Sequence, residues 1–166
     1  MEASAMLTGL EPRITPDCKL VVLGSFPGVA SLRAGHYYAH PRNLFWAIMS
    51  QALGLAFNDW PFDTRYQALN KAGIGLWDVI ANCERPGSLD SNIRQASSSQ
   101  LDEIIQMAPG VTTLLLNGRK AEQGARQWVL DGVSQIALPS TSPANAGISE
   151  PVKRKAWCDA INRVLQ

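Results

Sequence analysis

The sequence predicts an α/β fold in which a short, mostly parallel four-stranded sheet is covered by helices on both faces. Two features of the chain support this prediction. Strand-like and helix-like segments alternate, and the strand-like segments are continuously apolar instead of alternating between polar and apolar residues. Continuous apolar strands are typical of parallel sheets buried on both faces, and such sheets bind their ligands at the carboxyl ends of the strands.

Four short apolar runs are predicted as the strands. Lys19–Leu23 stops at a glycine and Thr112–Leu116 stops at Asn117-Gly118, which is how a buried strand meets a turn. Ile74–Ile80 and Ser134–Leu138 complete the set. Amphipathic periodicity predicts helices over Asn43–Leu53, Asp63–Ala72, Leu101–Met107, Arg119–Leu130 and Pro151–Leu165.

The remaining segments carry no clear periodicity. Residues 1–16 are expected to form a loosely held N-terminal arm, and residues 17–166 a single domain. Residues 82–100 are rich in Ser, Asn, Pro and Gly, so we expect a surface loop of the same domain there.

The composition excludes several classes of protein. The 166 residues are 46% hydrophobic and 17% charged, as in one globular domain with a core. No apolar run approaches the roughly 20 residues of a membrane span and no export signal is visible, so we expect a cytoplasmic protein without a membrane partner. Cys18, Cys83 and Cys158 lack metal-ligand spacing, and we expect buried or unused thiols. The net charge of +1 disfavours a nonspecific polycation but allows a local basic face, with Arg119 and Lys153 among its candidates.

Candidate functional residues follow each predicted strand. The segments are Gly24–Gly28, Asp78 with its neighbours, Asn117-Gly118 and Leu138–Asn145. The turn Gly24-Ser25-Phe26-Pro27-Gly28 has neither the GxGxxG nor the GxxxxGK[ST] pattern, which argues against a dinucleotide or triphosphate site. Its backbone N–H groups could still bind an anion or a carbonyl oxygen.

The segment Tyr37–Trp46 is predicted to line the mouth of a pocket for a flat ring, because it brings aromatics, Pro, Arg and Asn between a buried strand and a helix. Asn43 has two interpretations. It can cap the helix that follows. Its amide oxygen can also orient a water, which suffices when the reaction centre is already cationic, as in glycoside cleavage.

Five motifs in order give the chain a specific resemblance: GSFPG at 24–28, YYAHPRNLFW at 37–46, GIGLWDVI at 73–80, RPGS at 85–88 and LPSTSPAN at 138–145. This pattern resembles the uracil-DNA glycosylase superfamily and is most similar to its hypoxanthine-DNA (deoxyinosine) glycosylases. The likeness spans roughly residues 19–165. It implies a three-layer α/β/α sandwich with a short parallel sheet.

One departure from the family affects the assignment of the catalyst. Mismatch-specific relatives carry GINPG, whose Asn positions the attacking water, whereas this chain has Phe26 at that place. In the hypoxanthine-type members, which this chain resembles most, an Asn from the next segment takes over this role. The residue of this chain that matches it is Asn43. The resemblance therefore implies that Asn43 is catalytic, and capping the helix is compatible with that role.

The resemblance also implies a base-binding set of Ser25, Phe26, Tyr38 and Asp78. Phe26 and Tyr38 would stack on the extruded base, although either could be ordinary core. Asp78 stands where uracil-type relatives place a base-reading Asn, and an ionised carboxylate accepts the N1–H of hypoxanthine but not the bare N1 of adenine. Alternatively, Asp78 caps a turn or pairs with an Arg.

The implied DNA-binding set is Gly28, Ser140, Ser142, Pro143 and Asn145. Small hydroxyl residues and backbone N–H groups approach phosphates closely, and Pro143, Ala144 or Asn145 would fill the gap left by the flipped base. As an alternative, the segment is a simple turn.

The implied activity is monofunctional hydrolysis of an N-glycosidic bond in base excision repair, with no metal or organic cofactor and with DNA containing a deaminated base as partner. A monomer is expected from the family. Three alternatives stay open: a uracil- or mismatch-type glycosylase, an enzyme of free nucleosides, and a noncatalytic reader of damaged DNA.

Overall fold

A parallel sheet with helices on both sides forms the protein, as the sequence predicts. In the computed structural model, the described residues, 5–145 and 147–166, form seven strands and six α-helices. The strands are β1 (Met6–Thr8), β2 (Leu20–Gly24), β3 (Ile74–Asp78), β4 (Ile80–Glu84), β5 (Arg94–Ser98), β6 (Thr113–Asn117) and β7 (Ser134–Leu138). The helices are α1 (Val29–Ala34), α2 (Phe45–Leu53), α3 (Phe62–Lys71), α4 (Glu103–Met107), α5 (Arg119–Ala125) and α6 (Glu150–Leu165).

The four predicted strands form one parallel sheet in the order β3-β2-β6-β7. Successive side chains of β2 enter two separate apolar cores, because neighbouring residues of a strand point to opposite faces. Leu20 and Val22 pack into a core with α2, α3 and α6. Val21 and Leu23 pack into a second core that includes α4 and α5. The result is the three-layer α/β/α sandwich, which confirms the fold class.

A second, antiparallel sheet corrects the predictions for residues 1–16 and 82–100. β4 pairs with β1 on one side and with β5 on the other. Arg13 also forms a bridge with Leu76 of β3, so residues 6–13 are attached to the body instead of forming a loose arm. Residues 1–4 of the predicted arm lie outside the described residues.

The strand β5 was not predicted from the sequence, and the reason is physical. All of its residues are exposed, so Arg94–Ser98 has no apolar alternation. Its pairing with β4 is irregular, and Gln95 has a positive φ of 53°. An exposed, irregular edge strand lacks the periodic signal on which strand prediction depends.

Several element boundaries differ from the prediction. The apolar run 74–80 is divided between β3 and β4, because the chain bends at Val79 and enters the second sheet. The helix predicted to reach Leu130 ends at Ala125, where the side chain of Gln135 donates to the Ala125 carbonyl at 3.1 Å. The short helix α1, which ends at Ala34 and is capped by Gly35 with a φ of 70°, was not predicted.

Two further observations bear on the composition. Cys18 and Cys83 are fully buried and Cys158 is half-buried, all as free thiols. Within residues 5–145 and 147–166, no helix is both long and apolar enough to cross a membrane.

Candidate active site

The carboxyl ends of all four parallel strands open into one cavity of about 1060 Å³. This convergence follows from the parallel sheet, which presents every strand-to-loop connection at the same edge. The cavity is lined by all ten residues that the sequence predicted for the site: Ser25, Phe26, Gly28, Tyr38, Asn43, Asp78, Ser140, Ser142, Pro143 and Asn145. The structure therefore brings them together, and their individual surroundings distinguish what each can do.

Asp78 is the most unusual polar group in the cavity wall. It ends β3, is only 6% exposed, and its Oδ2 has no hydrogen-bond partner among the described residues. Burial and, second, the nearby carboxylate of Asp90 raise the pKa of Asp78 to about 7, against an opposing effect of the Arg85 guanidinium. A buried carboxyl oxygen without a partner is costly unless a ligand supplies a donor. Asp78 neither caps a turn nor forms an ion pair through this oxygen, so the hydrogen-bonding capacity of the atom is unused within the described residues.

Gly24, the last residue of β2, allows Asp78 to lie where it does. The two residues are register partners in the parallel sheet. A Cβ at Gly24 would collide with Oδ1 of Asp78 and would lie 3.2 Å from the hydroxyl of Tyr38. The absence of a side chain at Gly24 therefore lets two polar groups approach the same point of the cavity floor.

Tyr38 is held from behind by an aromatic neighbour. Its ring stacks on Phe45 with centroids 4.1 Å apart and planes at 20°. Its backbone has a positive φ of 54°, which is uncommon for a residue with a side chain. The Tyr38 hydroxyl accepts a hydrogen bond from Nδ2 of Asn117 at 3.4 Å. One face of the ring is therefore occupied by protein, and the hydroxyl lies at the cavity floor.

Asn43 begins the turn that leads into α2. Its Oδ1 accepts the backbone N–H of Phe45 at 3.0 Å, so the capping interpretation is correct as far as it goes. The neighbouring Leu44 N–H donates to the Thr141 carbonyl at 3.0 Å, which ties the start of α2 to the loop after β7. An amide oxygen carries two lone pairs. The same Oδ1 can therefore cap the helix and accept a hydrogen bond from a water in the cavity.

Phe26 is mostly a core residue. It is 6% exposed and packs into the core beneath α4 and α5, and the guanidinium of Arg85 lies 5.2 Å from its ring centroid. Arg85 is itself buried, with Nη2 donating to the Pro27 carbonyl and Nε to the Gly87 carbonyl, both at 2.7 Å. Phe26 thus reaches the cavity wall while its ring is supported by a buried cation.

The segment 85–92 fastens the turn 24–28 from outside the parallel sheet. Ser25 donates its hydroxyl to Oδ1 of Asp90 at 2.7 Å, and the Val29 N–H donates to the hydroxyl oxygen of Ser88 at 2.8 Å. Together with the two bonds of Arg85, these contacts fix the conformation of the turn that follows β2. Residues 85–92, which were expected to belong to an irregular loop, are therefore held against this turn along one side of the cavity, and we call them the strap.

The loop after β7 forms the opposite rim of the cavity and is held in shape by hydrogen bonds within the loop. The hydroxyl oxygen of Ser140 accepts the N–H of Ser142 at 3.1 Å, and that of Ser142 accepts the N–H of Ala144 at 3.2 Å. Each hydroxyl keeps its own proton for an incoming acceptor. Asn145 is tied to the Ser140 carbonyl at 3.3 Å, while Pro143 and Ala144 are exposed at the tip.

A buried lysine anchors this loop. Lys153 of α6 is 4% exposed and its ammonium group donates to the Asn145 carbonyl at 2.7 Å. Burial lowers its pKa. Lys153 is therefore a structural anchor, which corrects its prediction as part of a surface basic face. Arg119, in contrast, lines the cavity as a cation at the start of α5.

Comparison with known proteins gives this arrangement a family. The model of the uracil DNA glycosylase superfamily matches residues 11–166. The chain belongs to this superfamily. A hypoxanthine DNA glycosylase of Methanosarcina barkeri is 32% identical over 155 residues, which cover 93% of this chain and 98% of the relative. A hypoxanthine DNA glycosylase of Methanosarcina acetivorans is 32% identical over 157 residues, with 93% and 97% covered.

Other similarities agree with this membership. The solution NMR structure of a candidate uracil DNA glycosylase from Methanosarcina acetivorans superposes with a TM-score of 0.84 at 28% identity, covering 98% of this chain and all of that one. A G/U mismatch-specific uracil DNA glycosylase of Schizosaccharomyces pombe is 28% identical over 91 residues, which are 55% of this chain and 27% of the relative.

This superfamily member has supporting residues that the sequence did not reveal as a group. Asn117 was noted only because it follows a strand, and Arg85 only as part of a motif. Asp90 was not predicted to support the site, Thr141 was noted only as part of the loop motif, and Lys153 only as a candidate for a surface basic face. Most of them act through contacts with residues distant in sequence, which no spacing pattern predicts, and Lys153 acts through a backbone carbonyl that any residue offers.

Proposed function

We propose that the protein is a monofunctional DNA glycosylase that removes a deaminated base, most favourably hypoxanthine, by hydrolysis of the N-glycosidic bond. Superfamily membership and the two relatives named hypoxanthine DNA glycosylase support this assignment. One observation of the site carries it: Asp78 lines the cavity, and its buried Oδ2 has no hydrogen-bond partner among the described residues.

Asp78 would select the base by its hydrogen-bonding edge. When ionised, the carboxylate only accepts hydrogen bonds. It therefore suits the N1–H of hypoxanthine and opposes the lone pair on N1 of adenine, the base from which hypoxanthine arises by deamination. Because a site left with unpaired buried polar groups rejects a ligand strongly, this edge can discriminate between the two bases in its ionised form, which predominates above the pKa of about 7.

Asn43 would hold the attacking water. As the N-glycosidic bond stretches, the sugar becomes cationic and needs no strong base to activate its nucleophile. The lone pair of Asn43 Oδ1 not used by Phe45 can orient a water toward the sugar. Charge that flows into the leaving base would be stabilised by backbone N–H groups of the turn at Ser25 and Phe26, at roughly 10²- to 10³-fold in rate for each donor.

The two rims of the cavity would hold the DNA. Hydroxyl protons of Ser140 and Ser142 and backbone N–H groups near Gly28 suit phosphate oxygens. Pro143, Ala144 or Asn145 would enter the gap in the base stack, and the first two are exposed at the loop tip. Extrusion of a nucleotide costs a few kcal/mol and is easiest at a mispair, which favours damaged sites.

The product would be an abasic site in an unbroken strand. Strand cleavage by a glycosylase needs an amine that forms a Schiff base with the sugar. No lysine is among the described residues that line the cavity. Hydrolysis is therefore the reaction that the cavity supports.

Uracil is the second candidate base, because its N3–H also lies beside a carbonyl group and the Schizosaccharomyces pombe relative is named for uracil. Single-turnover excision from labelled duplexes carrying one deoxyinosine, deoxyuridine or deoxyxanthosine distinguishes the candidates, with alkali revealing the abasic sites. Undamaged dA and dG are the controls, and dG tests exclusion of the 2-amino group because guanine shares the N1–H and O6 of hypoxanthine.

We expect excision of hypoxanthine to be fastest and dA and dG to resist. Excision of uracil alone would move the assignment to the uracil or mismatch type. DNA binding without any excision would favour a noncatalytic reader, and cleavage of free deoxyinosine at the rate of the duplex would favour a nucleoside enzyme.

A further inference from the structure

The cavity floor contains a hydrogen-bond network that the mechanism above leaves unused. It joins Asn117 at the end of β6, Thr141 in the loop after β7, and the hydroxyl of Tyr38. Asn117 is 8% exposed and Thr141 is 1% exposed. A network this deeply buried holds its members in one arrangement, because each lost partner would leave a buried polar group unsatisfied.

The orientation of the Asn117 amide follows from its backbone partner. The Thr141 N–H, which can only donate, points at Oδ1 of Asn117 at 3.0 Å. Nδ2 must therefore be on the other side, where it donates to the Thr141 hydroxyl oxygen at 3.0 Å and to the Tyr38 hydroxyl oxygen at 3.4 Å. The amide thus has its oxygen toward the loop and its nitrogen toward Tyr38.

This orientation sets the polarity of the Tyr38 hydroxyl. Its oxygen accepts from Asn117, so its own proton points elsewhere, and the hydroxyl donates no hydrogen bond among the described residues. Burial and the nearby Asp78 raise the pKa of Tyr38 well above its ordinary value of 10, so the hydroxyl stays protonated. Tyr38 therefore presents a hydrogen-bond donor beside Asp78, because both groups approach the space above Gly24.

From this geometry we infer that the Tyr38 hydroxyl is a specificity-determining donor to the carbonyl oxygen of the bound base, and that Asn117 is the positioning residue that orients it. The inference rests on the proposed function. An acceptor (Asp78) and a donor (Tyr38) side by side match a ring N–H beside a carbonyl, as in the N1–H and O6 of hypoxanthine. Adenine, with a bare N1 beside an amino group, mismatches both.

The test pairs the Tyr38 hydroxyl with the base carbonyl in a double-mutant cycle. The two substrates are duplexes containing deoxyinosine or 6-thio-deoxyinosine, which keeps N1–H but offers sulfur, a weak acceptor. The variants are Tyr38→Phe, which keeps the ring on Phe45, and Asn117→Asp, which keeps an acceptor for the Thr141 N–H but would draw the Tyr38 proton toward itself. The quantity compared is the ratio of single-turnover rates, oxygen over sulfur, so that intrinsic reactivity cancels between proteins.

We expect Tyr38→Phe to lower the deoxyinosine rate about 5- to 10-fold and to reduce the oxygen-over-sulfur ratio by the same factor, as suits one neutral hydrogen bond. Asn117→Asp should reduce the ratio equally although its Tyr38 hydroxyl is intact. Tyr66→Phe is the matched control, because its hydroxyl serves Tyr37 N–H outside the cavity, and it should keep the wild-type ratio whatever its rate.

The outcomes separate this inference from the proposed function. If wild-type protein excises hypoxanthine but Tyr38→Phe keeps the wild-type ratio, the inference is wrong and the function stands. If Asn117→Asp slows both substrates equally, its role is only structural and the orienting role is wrong. If the wild type excises nothing, the proposed function fails and the inference fails with it.

Discussion

Replacing Asp78 by Asn should stabilise the free protein while damaging its activity. The carboxyl group titrates at about 7 in the folded protein and near its ordinary value of 3.8 in the unfolded chain. That difference corresponds to a penalty of about 4 kcal/mol on the folded state when the group is ionised. Because the amide brings its own unmatched buried N–H groups, at about 1–3 kcal/mol, we expect a net gain of about 2 kcal/mol at pH 8.

The pH dependence separates charge from packing. A folded-state pKa that is raised gives stability that is fully present below 3.8 and is lost as the pH rises to about 7. The wild type should therefore lose stability relative to Asp78→Asn between pH 4 and pH 8. Thermal unfolding should show the variant melting about 4–8 °C higher at pH 8, with this advantage disappearing toward pH 4.

The matched control is Asp131→Asn, which removes an exposed carboxylate away from the cavity and should shift the melting temperature little at either pH. Single-turnover excision of hypoxanthine by Asp78→Asn should fall about 10-fold, because a charge-assisted hydrogen bond becomes a neutral one. The same melting difference at pH 4 and pH 8, or a variant less stable than wild type at pH 8, would refute the assignment of Asp78 as a carboxylate that burial destabilises and that binds the ligand.

Three further substitutions test the surroundings of the site. Gly24→Ala should lower the free energy of unfolding by about 1–3 kcal/mol and slow excision, because its Cβ displaces Asp78 and the Tyr38 hydroxyl; unchanged urea unfolding and rate would contradict the close approach. Arg85→Lys should lower the free energy of unfolding by about 2–3 kcal/mol, since one ammonium cannot replace both buried guanidinium bonds, and a neutral result in denaturant unfolding would show that the strap is dispensable. Lys153→Met should weaken binding to a duplex with an abasic analogue about 3- to 10-fold in a titration by fluorescence anisotropy, because the loop after β7 loses its anchor; wild-type affinity would rule out this anchoring role.

The parallel sheet was predictable because its strands are continuously apolar and each ends at a turn. Leu20–Gly24 and Thr113–Asn117 are buried throughout, which is what a continuous apolar run records. The antiparallel sheet was not predictable in the same way. Met6–Thr8 is too short to show a period, and Arg94–Ser98 has no buried face.

The cavity residues were predictable because strand ends and motifs mark them in the chain. Their support was not, since it depends on pairs far apart in sequence. The hydrogen bond between Ser25 and Asp90 spans 65 residues. Lys153 lies only eight residues from Asn145, but it donates to a backbone carbonyl, which any residue would offer, so the sequence does not mark this pair either. Phe26 shows a second limit of what the sequence could predict. Its motif position suggested a stacking wall, whereas its surroundings in the core and under Arg85 depend on the whole fold.

The most direct test of the account is single-turnover excision of hypoxanthine by Asn43→Ala and Asn43→Ser. Both remove the amide, but serine retains an oxygen that caps the start of α2, so it separates catalysis from the roughly 1 kcal/mol that the cap contributes to stability. We predict that both variants lose 10²-fold or more in rate, that serine keeps wild-type stability, and that both bind an abasic-analogue duplex within threefold of wild type. A rate within threefold of wild type in either variant would contradict the role of Asn43 as the group that holds the attacking water.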